Sequence, residues 1–108
     1  MMSLEEFNRM HLRIGEIVGA EPIAGSEKLL KLTVDLGAER RTLVGGMAQS
    51  YRPADLLGLQ VVVVANLPST RIRGIESQGM LLGVGCEDAT RATLLGPHRP
   101  APNGARVT

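Results

Sequence analysis

Apolar and polar residues alternate along much of this chain, and this alternation predicts β-strands. The clearest case is residues 30–36, where every second residue is apolar: Leu30, Leu32, Val34 and Leu36. A period of two places one face of a strand in a core and the other face outside it. A looser alternation from Met10 to Ile23 predicts a long first strand that bends near Gly15 or Gly19.

The rest of the chain repeats this strand-and-turn pattern. Two short apolar runs, Val61–Val64 and Met80–Leu82, have the length and the bounding glycine or proline signals of buried strands, and they predict strands over Gln60–Asn66 and Gly79–Gly85. The other predicted strands are Arg40–Val44, after a turn at residues 37–39, and a last pair near Ala92–Leu95 and Ala105–Val107.

Helical signals are few and short. The capping box Ser3-x-x-Glu6 predicts a helix over about residues 4–9. Pro53 fits the first turn of a short helix between Met47 and Leu57. Thirteen glycines and six prolines in 108 residues imply many turns, which favours a small β-barrel or sandwich over a helical bundle. A chain of this length forms one domain, spanning residues 1–108.

Composition narrows the function classes. No apolar run approaches the roughly 20 residues that cross a bilayer, and the acidic N-terminus lacks the cationic start of a secretory signal. We therefore expect a cytoplasmic protein with no membrane contact. Cys86, His11 and His98 form no nucleophile–base–acid set and no metal-ligand spacing. We predict no catalytic residue, no metal and no cofactor, and hence no enzyme.

A polar, cationic connector, residues 66–78, joins the two apolar runs. Arg71 and Arg73 can offer planar guanidinium groups to phosphate oxygens or base edges. Asn66, Ser77 and Gln78 add neutral donors and acceptors suited to ribose hydroxyls and base edges. By residue type alone, a barrel loop whose amides satisfy its own backbone explains the segment equally well.

The remaining charge is unevenly distributed around a net charge of +1. Residues 1–39 hold four basic and seven acidic side chains, whereas residues 40–108 hold eight basic and four acidic ones. This asymmetry can place an electropositive face on a nearly neutral protein, although an ordinary solvated surface explains it too. The cations that could add peripheral phosphate contacts are Arg13, Lys28, Lys31 and Arg41.

Several segments also resemble a known family. Asn66-Leu67-Pro68 and Arg73-Gly74-Ile75-Glu76-Ser77-Gln78-Gly79-Met80-Leu81-Leu82 are similar to the signature of the tRNA-binding domain family. The segments similar to its opening strand, second strand and closing turn are Leu12–Ile17, Lys28–Gly37 and Asn103–Val107. The resemblance covers essentially the whole chain. The family includes stand-alone dimeric tRNA-binding proteins, the C-terminal domain of many methionyl-tRNA synthetases, and a chaperone-like branch.

The resemblance implies an all-β OB-fold: a five-stranded barrel with short helical segments and terminal extensions. It further implies structure-dependent tRNA binding without catalysis, a homodimer, a possible synthetase partner, and a site that includes Met80. Aromatic stacking platforms are scarce, since Phe7 and Tyr51 are the only aromatic residues. That scarcity favours folded RNA over single strands as the partner. The terminal segments Ser3–Met10 and Gly96–Thr108 are the predicted dimer seam.

Two other readings of the resemblance stay open. One is a chaperone-like or export-assisting protein that binds unfolded polypeptides, and the other is a module that recruits a synthetase. Three residues depart from the family pattern. His11 stands where relatives usually carry an aspartate, and Gly45 departs from the usual Ser-Gly-Ile-Ala motif. Thr70 stands near the position where many relatives carry a lysine. These departures bear on affinity for RNA rather than on the fold.

Overall fold

The computed structural model describes residues 1–88 and 90–108, which form nine strands and two short helices. In chain order the elements are α1 (Leu4–Phe7), β1 (Leu12–Pro22), β2 (Leu30–Asp35), β3 (Arg40–Gly45), α2 (Pro53–Leu56), β4 (Gln60–Val64), β5 (Thr70–Ile72), β6 (Ile75–Ser77), β7 (Met80–Leu81), β8 (Gly83–Val84) and β9 (Thr93–Leu94).

Five antiparallel strands form the main sheet, in the order β3-β2-β1-β4-β7. The sheet curls so that β6 and β7 approach β3 at its other edge, which gives the OB-like all-β fold that the sequence predicted. The largest fully buried side chains are aliphatic: Ile17, Leu30, Leu32, Leu43, Leu56, Val34, Val61 and Val63. All of them except Leu56, which lies on α2, fill the barrel interior from inward-facing strand positions.

Of the two positions predicted for the bend in β1, Gly15 and Gly19, the structure has it next to Gly19. The register with β2 shifts between Ile17 and Gly19, which marks a β-bulge. Gly15 serves a different purpose, because a Cβ there would lie 2.5 Å from Cγ1 of Val34. The absence of a side chain at Gly15 lets β1 pass close over the core.

Both predicted helices are present. The Ser3 hydroxyl accepts a hydrogen bond from the Glu6 backbone N–H at 3.1 Å, and the Glu6 carboxylate accepts one from the Ser3 backbone N–H, so the capping box is complete. Pro53 stands in the first turn of α2, whose Leu56 is buried against the core.

Three details of the predicted strand layout are wrong. The connector 66–78 is not an irregular loop, because it contains the β5–β6 hairpin. The run Gly79–Gly85 is two strands: β7 pairs with β4, and β8 pairs with β9. The two C-terminal segments do not pair with each other, since Thr93–Leu94 pairs with β8 and Arg106 forms an isolated bridge with Arg13. Sequence periodicity cannot assign partners to segments this short.

Candidate nucleic-acid interface

The β5–β6 hairpin presents Arg73 at its tip. Ile72 and Ile75 are the last paired residues, so Arg73 and Gly74 alone form the turn. Their φ angles are 52° and 80°, and two successive positive values define the type I′ turn that suits a two-residue hairpin. Arg73 is the one non-glycine residue with positive φ in the described part of the chain. An arginine occupies this position at a conformational cost that asparagine or glycine would reduce.

Arg71 lies beside Arg73 on the same hairpin. Its Nη1 donates a hydrogen bond of 2.8 Å to the Gly74 carbonyl oxygen, which holds the guanidinium at the turn. The pairing register sets Glu76 opposite Arg71, so one carboxylate partly offsets the two positive charges. All three side chains are exposed. The hairpin tip therefore presents two guanidinium groups to solvent, and that of Arg71 is held by a hydrogen bond.

The hairpin reaches another connection at the same end of the barrel. Nη1 of Arg73 lies 3.7 Å from the position that a Cβ would take on Gly25, in the connection between β1 and β2. Lys28 is exposed on that same connection. The fold thus brings together two segments that are more than forty residues apart, and each carries a cation.

Arg41, on β3, holds the two ends of the connector together. Its Nη1 donates to the Ala65 carbonyl at 2.6 Å and to the Gln78 carbonyl at 3.2 Å. Its Nε donates to the Glu39 carboxylate. Because Ala65 precedes the connector and Gln78 ends it, Arg41 fixes the base from which the hairpin projects.

The predicted polar residues Asn66, Ser77 and Gln78 all make internal hydrogen bonds. The Asn66 amide accepts from the His11 N–H at 2.8 Å and donates to the Arg9 carbonyl at 2.7 Å. The hydroxyl of Ser77 accepts from the Val44 N–H at 3.0 Å, and Ser77 is only 4% exposed.

Gln78 continues the pairing of β3 beyond the hairpin. Its N–H donates to the Thr42 carbonyl at 2.8 Å, and its side-chain oxygen accepts from the Thr42 N–H at 3.0 Å. The side chains of Asn66, Ser77 and Gln78 therefore bond mainly to the backbone of β3 and of the segment before β1. The alternative interpretation, in which the connector's amides satisfy its own backbone, does not describe Asn66 and Gln78. The prediction that Asn66, Ser77 and Gln78 also contact a ligand stays a prediction.

An apolar cleft of about 440 Å³ lies between the hairpin, β3 and the start of β7. Its lining residues are Val44, Leu67, Pro68, Thr70, Ile72, Ser77, Gly79 and Met80. Met80 is 51% exposed and Leu67 is 44% exposed, so this is an open surface rather than a gap in the core. Met80 was predicted from the sequence, whereas Leu67, Pro68 and Ile72 were missed because apolar residues in a connector indicate packing as readily as binding.

Known proteins show the same sequence pattern and the same fold. The family model described as "Putative tRNA binding domain" matches residues 12–106. This chain belongs to the tRNA-binding domain family. The methionine–tRNA ligase of Methanoculleus marisnigri is 48% identical over 107 residues, which are 99% of this chain and 16% of the ligase. The chain therefore spans about a sixth of the length of such relatives.

Two solved structures match over nearly the full length of both chains. The MetRS related protein from Pyrococcus horikoshii has a TM-score of 0.90 and 37% identity, and the match covers 100% of this chain and 98% of that one. The chaperone CsaA from Bacillus anthracis has a TM-score of 0.88 and 32% identity, with 100% and 99% covered. The tRNA-binding domain fold predicted from the sequence is thus confirmed.

The peripheral cations of this tRNA-binding domain separate into three places. Lys28 lies on the β1–β2 connection, which Arg73 approaches at Gly25. Lys31 lies on β2 with its Nζ 3.5 Å from a Glu21 carboxylate oxygen, so its charge is partly offset. Arg13 and Arg41 line one small polar pocket at the base of the connector, together with His11. From the sequence, His11 was a candidate for chemistry and a departure from the family pattern, but its place beside Arg13 and Arg41 was not predicted, because it depends on the pairing of β1 with β4.

Two further side chains that could take part in chemistry, Cys86 and Asp88, lie in the connection between β8 and β9. Cys86 is exposed. The Asp88 carboxylate accepts hydrogen bonds from the Thr90 hydroxyl at 2.7 Å and the Thr90 N–H at 3.0 Å, which hold the pKa of Asp88 below its usual value. That arrangement stabilises a turn. Within residues 1–88 and 90–108, no three His, Cys, Asp or Glu side chains form a possible metal site, and no helix is long and apolar enough to cross a membrane.

Proposed function

We propose that this chain binds tRNA by its folded shape and catalyses no reaction on it. The observation that carries the proposal is that one hairpin bears two exposed guanidinium groups and also supplies Thr70 and Ile72 to the wall of an open apolar cleft. Guanidinium groups suit phosphate oxygens, and an apolar surface suits the face of a base or ribose. Membership of a family named for tRNA binding supports RNA as the ligand.

In this proposal the residues divide into two roles. Arg71 and Arg73 contact phosphates, Met80 contacts an exposed base or sugar, and Lys28 adds a charge at the neighbouring connection. Asn66, Ser77 and Gln78 hold the connector through the hydrogen bonds already described. The remaining hydrogen-bonding capacity of the Asn66 and Gln78 side-chain amides is available to ribose hydroxyls. Contacts to phosphate and sugar carry no base sequence, so many tRNAs should bind alike.

The test is a fluorescence titration with bulk tRNA at two salt concentrations, beside an unstructured RNA of equal length. With four to six phosphates neutralised, log affinity should fall with log salt at a slope of about −3 to −5. We expect tRNA to bind more tightly than the unstructured RNA. Equal binding of both RNAs, or no binding at low salt, would contradict the proposal.

One observation favours a second function, the capture of unfolded polypeptides. The apolar cleft could hold an extended peptide, and a protein similar along its whole length carries the name chaperone CsaA. Peptide capture by an apolar surface predicts little dependence on salt, because few charges are neutralised. The same titration with a reduced, unfolded protein therefore separates the two functions. Recruitment of a synthetase, which the ligase relatives suggest, could coexist with either.

We further propose a cytoplasmic homodimer joined through the chain termini. Arg106 Nη2 donates to the Asn8 carbonyl at 2.6 Å, so the two terminal segments lie side by side on one surface. Met1, Met2, Leu4 and Met10 expose apolar side chains there. A two-fold pair would double the cations offered to one tRNA. Sedimentation at micromolar concentration should give the mass of two chains, and the mass of one chain would contradict this arrangement.

A further inference from the structure

A small polar pocket lies at the base of the connector, separate from the hairpin tip. It measures about 130 Å³ and is lined by His11, Arg13, Leu36, Ala38, Glu39, Arg41 and Ala65. The pairing of β1 with β4 and of β2 with β3 brings these residues to one edge of the sheet. No residue of the hairpin, and none that lines the apolar cleft, belongs to this pocket.

Several hydrogen-bond donors of the pocket are unused. The His11 backbone is paired through Ala65 and Asn66, but its imidazole makes no hydrogen bond to the described residues. The same is true of the exposed Arg13 guanidinium within residues 1–88 and 90–108. Arg41 is fixed through Nε and Nη1, and its Nη2 has no acceptor in the described part of the chain.

The charge of the pocket suits an anion. Two arginines and one glutamate leave the lining with one excess positive charge, and protonation of His11 adds a second. Glu39 is already engaged by Arg41, so its carboxylate competes little for the other donors. A compact, multidentate anion with several acceptor oxygens matches such a set of donors better than a carboxylate or a neutral group does.

We propose that this pocket binds a phosphate group, and that His11 makes the binding stronger as pH falls. The proposal deepens the proposed tRNA binding, since in the complex the phosphate would belong to the RNA backbone. A histidine side chain gains its charge between about pH 8 and pH 5, within the range that RNA tolerates. The charged groups facing His11 are Arg13 on β1, Arg41 on β3 and Glu39 on the turn before β3, and Arg9 and Arg106 lie on the adjoining segments.

A phosphate in this pocket would attract protonated His11 and both arginines at the same time. Anion binding and protonation of His11 therefore favour each other, as linked equilibria must. RNA bound at both the hairpin and this pocket would be held at two points, which fixes its orientation on the barrel.

The experiment compares the protein with His11→Asn, and with His98→Asn as a matched control. His98 is the other histidine, exposed on the C-terminal segment and outside both the apolar cleft and the polar pocket. The first readout needs no RNA: the ring signals of both histidines are followed by NMR while sulfate replaces chloride at constant ionic strength. Sulfate stands in for phosphate because it stays doubly negative across the whole pH range.

We expect sulfate to shift the His11 signals at about pH 6 and to shift them much less at about pH 8, with His98 unchanged. The second readout is the affinity for tRNA at the same two pH values. It should rise about three- to tenfold on acidification in the unaltered protein and in His98→Asn, and by less than about 1.5-fold in His11→Asn. A further variant, Arg13→Gln, leaves His11 in place and should reduce the shift that sulfate causes in the His11 signals.

The outcomes separate this inference from the proposed function. His11 signals that ignore sulfate, or a His11→Asn variant with the full pH dependence, would overturn the pocket. Failure of the proposed tRNA function would look different: sulfate would still shift the His11 signals, yet tRNA would not bind at any pH.

Discussion

The replacement Arg73→Asn should make the protein more stable and its RNA binding weaker. Arg73 occupies the first position of a type I′ turn with φ of 52°, followed by Gly74 with φ of 80°. Asparagine tolerates this region better than arginine does, and Asn-Gly is the preferred sequence for such turns. The tip makes no contact with the core, so nothing else is lost from the fold.

The magnitudes follow from the turn and from the charge. A left-handed residue other than glycine costs about 1–2 kcal/mol, and relief of about half of that should raise the melting temperature by about 2–5 °C for a domain of this size. Removal of one phosphate contact should weaken tRNA binding about five- to thirtyfold near physiological salt. The slope of log affinity against log salt should become shallower by about 0.7–0.9.

Arg52→Asn provides the matched control. Arg52 is the N-cap of α2 and makes no side-chain cap hydrogen bond, so asparagine should stabilise that helix by capping it. The helix packs on β1, and Arg52 lines neither the apolar cleft nor the polar pocket. Both variants thus lose one arginine at a site that asparagine favours, but only Arg73→Asn should lose RNA affinity.

Calorimetry and a salt-dependent tRNA titration measure the two effects on the same samples. If Arg73→Asn binds tRNA with unchanged affinity and slope, the hairpin tip is not part of the interface. If its melting temperature falls, the assignment of strain to the turn is wrong. Equal loss of affinity in Arg52→Asn would mean that net charge, and not the hairpin, governs binding.

Two further substitutions test the base of the connector. Ser77→Ala should lower the free energy of unfolding by about 1–3 kcal/mol, because the Val44 N–H loses its acceptor, the hydroxyl of a residue that is only 4% exposed. Thermal unfolding measures this loss. If tRNA affinity falls although the protein stays folded, Ser77 instead contacts the RNA directly. Arg41→Lys keeps the charge, but lysine cannot donate hydrogen bonds to Glu39, Ala65 and Gln78 together. The free energy of unfolding should fall by about 1–2 kcal/mol, and hydrogen exchange at the Gln78 amide should become faster. Unchanged exchange would show that the connector does not depend on the hydrogen bonds of Arg41.

Local signals made the capping box, the alternating second strand and the bend of the first strand predictable. Each depends on neighbours a few residues apart, such as Ser3 with Glu6, and such spacing is fixed by backbone geometry alone. The partners of β8 and β9, with two residues each, were not predictable in this way. A strand that short carries too little pattern to specify a register, so packing decides it.

In the candidate site, too, some residues were predictable from the sequence and others were not. The sequence identified Arg71, Arg73 and Met80 because residue type and resemblance point to them. It did not show that Ser77 is buried or that Arg41 joins Ala65 to Gln78. Whether a polar side chain faces a ligand or its own backbone depends on which donors and acceptors lie nearby, and those come from distant parts of the chain.

The sequence by itself determined the class of this protein: an all-β domain with a short capped helix, an OB-like barrel and a cationic connector. It could do so because strand periodicity, turn residues and family motifs are local and survive without coordinates. The tertiary structure alone decided that the connector is a hairpin with Arg73 strained at its tip, and that His11, Arg13 and Arg41 share one pocket. The hairpin consists of two adjacent three-residue strands, which are too short to carry a clear pattern. The pocket arises from the pairing of β1 with β4, two strands far apart in the chain, and this pairing sets the distances between its charges.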